Sequence, residues 1–461
     1  MSRQELNNNT MENSIKEKNY QELESSISSG EVDTVIVAFP DQFGQLLGKR
    51  LTGDFFLHHS QMECCNYLLS CDIEMEPQQG FSRGGWDGGY GDLHVRVDLS
   101  SLTYPAWLDS TALLLGDLVD SEGREVPESP RAVLKEQYRR MKAAGFEPMM
   151  ASELEFYLFD NDFRRVSELG SGGLSFTSPG AIDYHILGTG YQEEFIASLR
   201  NNMNGSGIPV ESSKGETGRG QYEIALEYAP ALQMADRHGI YKYGAKAMAA
   251  AMGRSVSFMA KYSSQDAGSS CHIHSSLFDP AGRENLFATG EESPLFRRFL
   301  GGQLALAREL FLFFAPTVNS YKRYCPDSFA PTRIAWDYDN RTTAFRVVGK
   351  GPNFRIENRL PGADANPYLA YAAVLAAGLY GIEGQIDAGP RFKGDAYSNG
   401  TLPQLPQTLG EAAEALDGST TARKLFGDAV IDHYVRHARM EWERYRGVVD
   451  EWELKRYFEK I

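Results

Sequence analysis

The chain is poor in cysteine: five in 461 residues, Cys64, Cys65, Cys71, Cys271 and Cys325. The number is odd and no CxxC pair occurs, so neither a disulfide framework nor a thiolate zinc site is implied. Excess positive charge is also missing. A formal net charge of −16 disfavours the basic surface that nucleic-acid binding needs, although a local arginine cluster could still hold an anionic substrate. The apolar run around Leu310 to Ala315 falls far short of the ~20 residues that span a bilayer. Met1 is followed by polar residues instead of an apolar stretch, so no secretory signal is read and the cytoplasm is the expected location. A GxxxxGK[ST] phosphate loop, a GxGxxG fingerprint and a GxSxG elbow are all absent. Walker-type, Rossmann-type and serine-hydrolase readings therefore lack support.

What remains is an ordinary globular composition, 42% hydrophobic and 23% charged, on a chain long enough for roughly two to four domains. Residues 1–28, rich in Asn, Ser, Glu and Lys, read as a mobile tail with at most a short helix near Ile15 to Leu23. TVIVAF from Thr34 reads as a strand, DQFG as the turn after it, and HVRVDL from His94 as a second strand. The Gly-rich stretch Gln79 to Asp92 reads as a loop. In SPRAVLKEQYRRMKAAGF, Ser129 is the expected N-cap, Pro130 the first turn and Gly145 the exit of a helix. These signals divide the chain into a tail (1–28), a first domain (29–124) and a second domain (125–461). The second domain alternates strands and helices and closes in a charged helical region from Leu409 to Ile461.

Three short segments carry polar residues on one parity. In SELEFYLF, Glu153, Glu155 and Tyr157 share a face opposite Leu154, Phe156 and Leu158. In CHIHSSL, His272 and His274 share one, and in FRIENRL so do Arg355, Glu357 and Arg359. A period of two places alternate residues on one side of a sheet. Any one such strand reads most simply as a solvated face crossed by ion pairs. Three together, with Glu216 and Glu223 in GETGRGQYEI, suit Mg²⁺ or Mn²⁺ beside ATP phosphates. Cys271 and His272 point to opposite faces, which argues against a thiol nucleophile.

The segments SELEFYLFD, ETGRGQYE, AGSSCHIHSSL, NSYKR, NRTTAFR and RIENRLPGADANPYL, in this order, resemble the glutamine synthetase superfamily from about Val32 to the C-terminus. The resemblance implies an α+β fold: an N-terminal β-grasp domain and a catalytic domain with a curved antiparallel sheet backed by helices. It also implies a homo-oligomer, a dodecamer of two stacked hexameric rings, with active sites at subunit junctions.

By the same resemblance, two or more Mg²⁺ or Mn²⁺ ions are expected per subunit, with ATP as cosubstrate. One ion would be held by Glu155, Glu216 and Glu223, the other by Glu153, His272 and Glu357. His274, Ser276, Arg346 and Arg355 would lie near ATP. Arg341 would stabilise the transferring phosphoryl group, Arg323 and Arg359 would hold glutamate, and Gly268 would contribute backbone near its amino end. The implied reaction activates the γ-carboxylate of glutamate as an acyl phosphate, which an amine then attacks.

Two departures from ammonia-using members bear on that amine. Phe329 stands where they carry a glutamate that helps accept a proton from ammonium, and Gln79 where they carry an aspartate contributed across the subunit boundary. Losing both acids favours an organic mono- or polyamine, as in γ-glutamylpolyamine and γ-glutamyl-monoamine synthetases. The alternatives are an ordinary glutamine synthetase, with Phe329 merely packing and Asp327 substituting, and a non-catalytic relative. Ala267 replaces an asparagine of the ammonia-using members. Tyr397 lies in a loop whose counterpart is adenylylated in some bacterial members, but GDAYSNG matches that site poorly, and a simple exposed tyrosine is expected.

Overall fold

In a computed structural model the described backbone comprises residues 3–59, 61–86, 89–169, 173–289 and 292–461. The strands are β1 Thr34–Pro40, β2 Leu46–Thr52, β3 Gln61–Cys65, β4 Asp92–Val97, β5 Thr111–Val119, β6 Glu147–Phe159, β7 Val210–Gly215 and β8 Gln221–Leu226. They continue with β9 Ala229–Pro230, β10 Ser255–Ser257, β11 Cys271–Phe278, β12 Trp336–Tyr338, β13 Phe345–Val348 and β14 Arg355–Asn358.

The first five form one sheet in the order β2-β1-β5-β4-β3, with β1 parallel to β5. This is the grasp-type N-terminal domain. Within the expected mobile tail, Arg3–Ser28 is ordered as a helix instead, and its Leu23 and Ile27 are buried in the core of the first domain with Val35, Val37 and Phe39. Leu23 and Ile27 lie four residues apart, one helical turn, and so share a stripe; Asn19 adds a hydrogen bond from Nδ2 to the Leu99 carbonyl at 2.8 Å.

The remaining nine strands form the second sheet, in the order β12-β13-β14-β11-β6-β8-β7 with β9 and β10 both paired to β6. All its pairings are antiparallel except β12 with β13. The 13-residue strand β6 is its spine. Leu154, Phe156 and Leu158 point into the main core, which releases the other parity to the opposite face. Cys271 goes with the core, and burial raises its thiol to about 12.

The helix Pro367–Glu383 (PYLAYAAVLAAGLYGIE) is apolar on every side and accordingly interior. It packs against Pro294–Leu306 so closely that a Cβ on Gly302 would stand 1.9 Å from the Ala377 carbonyl oxygen. Asn366 caps this helix through Oδ1, which accepts from the Tyr368 N–H. Its Nδ2 donates to the Asp41 and Gln42 carbonyls in the turn after β1, tying the two domains together. Buried Arg131 makes a second tie, donating to Asp98 and Asp117 of the first domain and to Asp236 of the second. The helix beginning at Pro130 has Ser129 at its N-cap position, without a side-chain hydrogen bond, and Gly145 at positive φ beyond its end.

Candidate active site

Strand register converts the shared parity into clusters. Glu153 on β6 stands opposite His272 on β11, and Glu155 opposite Glu223 on β8. His274 stands opposite Glu357 on β14, which in turn faces Arg346 on β13. Glu216, in the turn between β7 and β8, joins Glu155 and Glu223. The three offer carboxylate oxygens within 4.8 Å of one another.

This first cluster is an all-oxygen donor set with two buried members and one partly buried, the kind that suits a hard divalent cation. Burial raises Glu155 to about 7 and Glu223 to about 9, and in both cases neighbouring carboxylates add to the shift. Burial raises Glu216 as well. Carboxyl groups this reluctant to ionise next to one another are what a cation would relieve. Glu155 is held in place by Ser270, whose backbone N–H (2.8 Å) and Oγ (2.6 Å) donate to it, and by Gln221 Nε2 at 3.2 Å.

In the second cluster the ligand atoms of Glu153, His274 and Glu357 lie within 4.8 Å of one another, so His274 joins the two acids where His272 is expected, and His272 stands beside them. His272 Nδ1 lies 3.4 Å from Glu153 Oε2 and 3.3 Å from Glu357 Oε1, and His274 Nε2 lies 2.8 Å from Glu153 Oε1. Burial and Arg359 push His272 down to about 4, so at neutral pH its contacts are those of an uncharged ring. Burial opposes ionisation of Glu153, but the two imidazoles outweigh it and hold the carboxyl well below the usual range. Burial likewise opposes ionisation of Glu357, whose carboxyl is nonetheless held at about 2 by His272, Arg359, His274 and Arg346. Two arginines are hydrogen-bonded to Glu357 and remain cationic at neutral pH (Arg359 Nη1 2.6 Å, Arg346 Nη1 2.9 Å).

Among the ATP candidates, Arg355 Nε donates to His274 Nδ1 at 3.1 Å, Arg346 also pairs with Asp339, and Ser276 is half-buried on β11. Arg341 is exposed in the turn between β12 and β13. Of the glutamate candidates, Arg323 is buried and donates to the Leu360 and Arg359 carbonyls. Gly268 lies against it, where an added Cβ would meet Arg323 Cγ at 2.8 Å. Arg359 Nη2 donates to the Phe329 carbonyl at 3.2 Å.

Phe329 itself has φ 57° and is 61% exposed, so its ring faces outward at the rim of this arginine pair. Gln79 is not brought to it within the chain. Its side chain donates to Tyr90 Oη and its carbonyl accepts from Arg436 on the helix Asp428–Arg446. Tyr397 is not simply exposed: it is half-buried and its hydroxyl donates to the Ala330 carbonyl at 3.0 Å. Burial raises it to about 12.

Lys214, Gln221 and Ser270 are site residues that the motifs did not single out. Lys214 is two residues before Glu216 and Gln221 two before Glu223, so the same parity rule could have found both. Ser270 acts through its backbone N–H as well as its hydroxyl, which no side-chain pattern reveals.

Residues 127–457 match the family described as "Glutamine synthetase, catalytic domain". The chain belongs to the glutamine synthetase family. It is a carbon–nitrogen ligase by that membership. A γ-glutamylethanolamide synthetase of Streptomyces coelicolor is 44% identical over 444 residues, covering 96% of either chain. A glutamate–isopropylamine ligase of a Pseudomonas species is 34% identical over 447 residues, 94% of this chain and 97% of that one. The solved structure of GmaS in complex with ADP superimposes with a TM-score of 0.83 at 29% identity, covering 95% of this chain and 99% of the other. No helix among the described residues is long and apolar enough to cross a membrane.

Proposed function

We propose that the protein joins the γ-carboxylate of glutamate to a small organic monoamine, using ATP and passing through γ-glutamyl phosphate. The observation that carries the choice of amine is Phe329, an outward-facing phenyl ring whose carbonyl is held by Arg359. In this reading Arg323 and Arg359 bind the glutamate carboxylates, and the apolar ring favours a nitrogen that bears carbon over ammonium. The names of the relatives, an ethanolamide synthetase and an isopropylamine ligase, support the same class.

Glu155, Glu216 and Glu223 would hold one divalent cation, and Glu153, Glu357 and His272 a second. Such ions neutralise phosphate charge and help align the transfer. His274, Ser276, Arg346 and Arg355 would position ATP, and Arg341, exposed in its turn, would reach the transferring group. Enclosing the acyl phosphate limits its loss to water. The reading includes cytoplasmic location and a homo-oligomer of two stacked hexameric rings, in which the loop carrying Gln79 would complete a neighbouring subunit's site.

The test is phosphate release with glutamate, ATP and Mg²⁺ across ammonium, ethanolamine, isopropylamine, putrescine and spermidine. Ethanolamine or isopropylamine is expected to exceed ammonium in kcat/KM by at least about tenfold. Ammonium as the best substrate would establish an ordinary glutamine synthetase instead, and no amine-dependent phosphate release would favour a non-catalytic relative.

A further inference from the structure

Lys214 lies on β7 directly opposite Glu223. Its ammonium is in ion-pair contact with Glu216, so a cation of the protein's own already engages the first carboxylate cluster. Three further groups surround it: Asp183 Oδ1 at 3.5 Å, the Gly215 carbonyl at 3.5 Å, and the face of the Tyr184 ring at 4.5 Å from Nζ. Asp183 and Tyr184 are exposed and lie outside the carboxylate triad.

We propose that Lys214 is a resident counter-ion of the Glu155–Glu216–Glu223 cluster, exchanged for the divalent cation when that site loads. This rests on the reading of the cluster as a metal site. A metal among the three carboxylates and an ammonium on one of them repel each other, and both draw on the same Glu216 carboxylate. The four-carbon stem lets Nζ swing away without moving β7. The groups that would keep it are already in contact: the Asp183 carboxylate at 3.5 Å and the Tyr184 face at 4.5 Å still hold the ammonium when Glu216 turns to the metal. In the metal-free protein the lysine offsets the repulsion among the three acids; in the loaded protein it stands outside.

The experiment is Mn²⁺ titration by calorimetry of the EDTA-treated full-length protein, alongside thermal melts with and without Mn²⁺. K214M should bind Mn²⁺ about 10-fold tighter than wild type, because a like charge beside the site is gone, melt lower when metal-free, and gain more in Tm when loaded. Unchanged or weaker affinity in K214M would overturn the proposal, because a lysine that stays and neutralises would help binding. D183N, on the exposed turn, gives an independent reading should K214M fail to fold. Weaker Mn²⁺ binding supports a vacated position there, and unchanged or tighter binding overturns it. E223Q separates the two readings. If wild type shows no Mn²⁺ site that E223Q removes, the metal assignment itself fails. If E223Q removes a site while K214M binds no tighter, only the exchange fails.

Discussion

Glu155 and Glu223 face each other directly across the antiparallel pair β6–β8, two buried acids at a position where like charges repel. Their carboxyls are raised to about 7 and about 9, by burial first, then by Glu216 for Glu155 and by Glu153, Glu155 and Glu216 for Glu223. Both values lie above the ordinary glutamate value of 4.5. Protonation therefore stabilises the fold below about pH 4.5, and this contribution is lost as pH rises through the folded values. Above about pH 7, where the buried histidines with lowered values no longer titrate, the metal-free protein should show a Tm that falls towards about pH 9. E223Q should flatten that slope, and saturating Mg²⁺, which favours the ionised acids, should flatten it in wild type. Thermal melts in EDTA across this range check it; a Tm independent of pH in both proteins would reject the assignment.

The two histidines of the second cluster should separate by function. Arg355 Nε donates to His274 Nδ1, so in the neutral ring Nε2 carries the proton and offers no lone pair to a metal. His272 Nδ1 has the two carboxylates as neighbours. Mn²⁺ affinity at this site should fall by at least about 100-fold in H272A. H274A should chiefly raise the KM for ATP and leave Mn²⁺ affinity within a few-fold. The reverse pattern would assign the metal to His274.

Phe329 can be tested without disturbing the core, since its ring is largely exposed. F329E should raise ammonium-dependent kcat/KM about tenfold and lower that for the preferred organic amine by a similar factor. Its left-handed backbone disfavours glutamate no more than phenylalanine, so stability should hardly change. An unchanged amine preference would remove Phe329 from the amine site.

Arg131 joins the domains from inside the molecule. R131M would leave Asp98, Asp117 and Asp236 without their shared cation, and loss of one partner from a buried network costs about 3–5 kcal/mol. Denaturant unfolding should show this loss, together with a rise of the three acids' pKa values. A loss below about 1 kcal/mol would mean that Lys135, which also reaches Asp117, and solvent take over.

The candidate site was legible to an unusual extent because its chemistry sits on strands. Alternation alone put Glu153 with Glu155, His272 with His274, and Arg355 with Glu357 and Arg359, and the structure keeps each set on one face. The helix of residues 3–28 was not legible as part of the first domain, because among its described side chains the docking rests on Leu23 and Ile27 and on polar contacts of Lys16 and Asn19 with Asp98 and Leu99. Tyr397 was misjudged for a similar reason: a hydroxyl seated on the Ala330 carbonyl 67 residues away leaves no local trace.

By itself the sequence determined the family, the two-domain α+β plan and which side chains share a face, since these follow from local spacing and from motifs contiguous in the chain. Tertiary structure decided which faces meet. The β6–β8 register pairs Glu155 with Glu223, the β7–β8 register sets Lys214 opposite Glu223, and Arg359 holds the carbonyl of Phe329. Register is a relation between strands distant in sequence, and a shift of one residue would turn every one of these side chains to the other face.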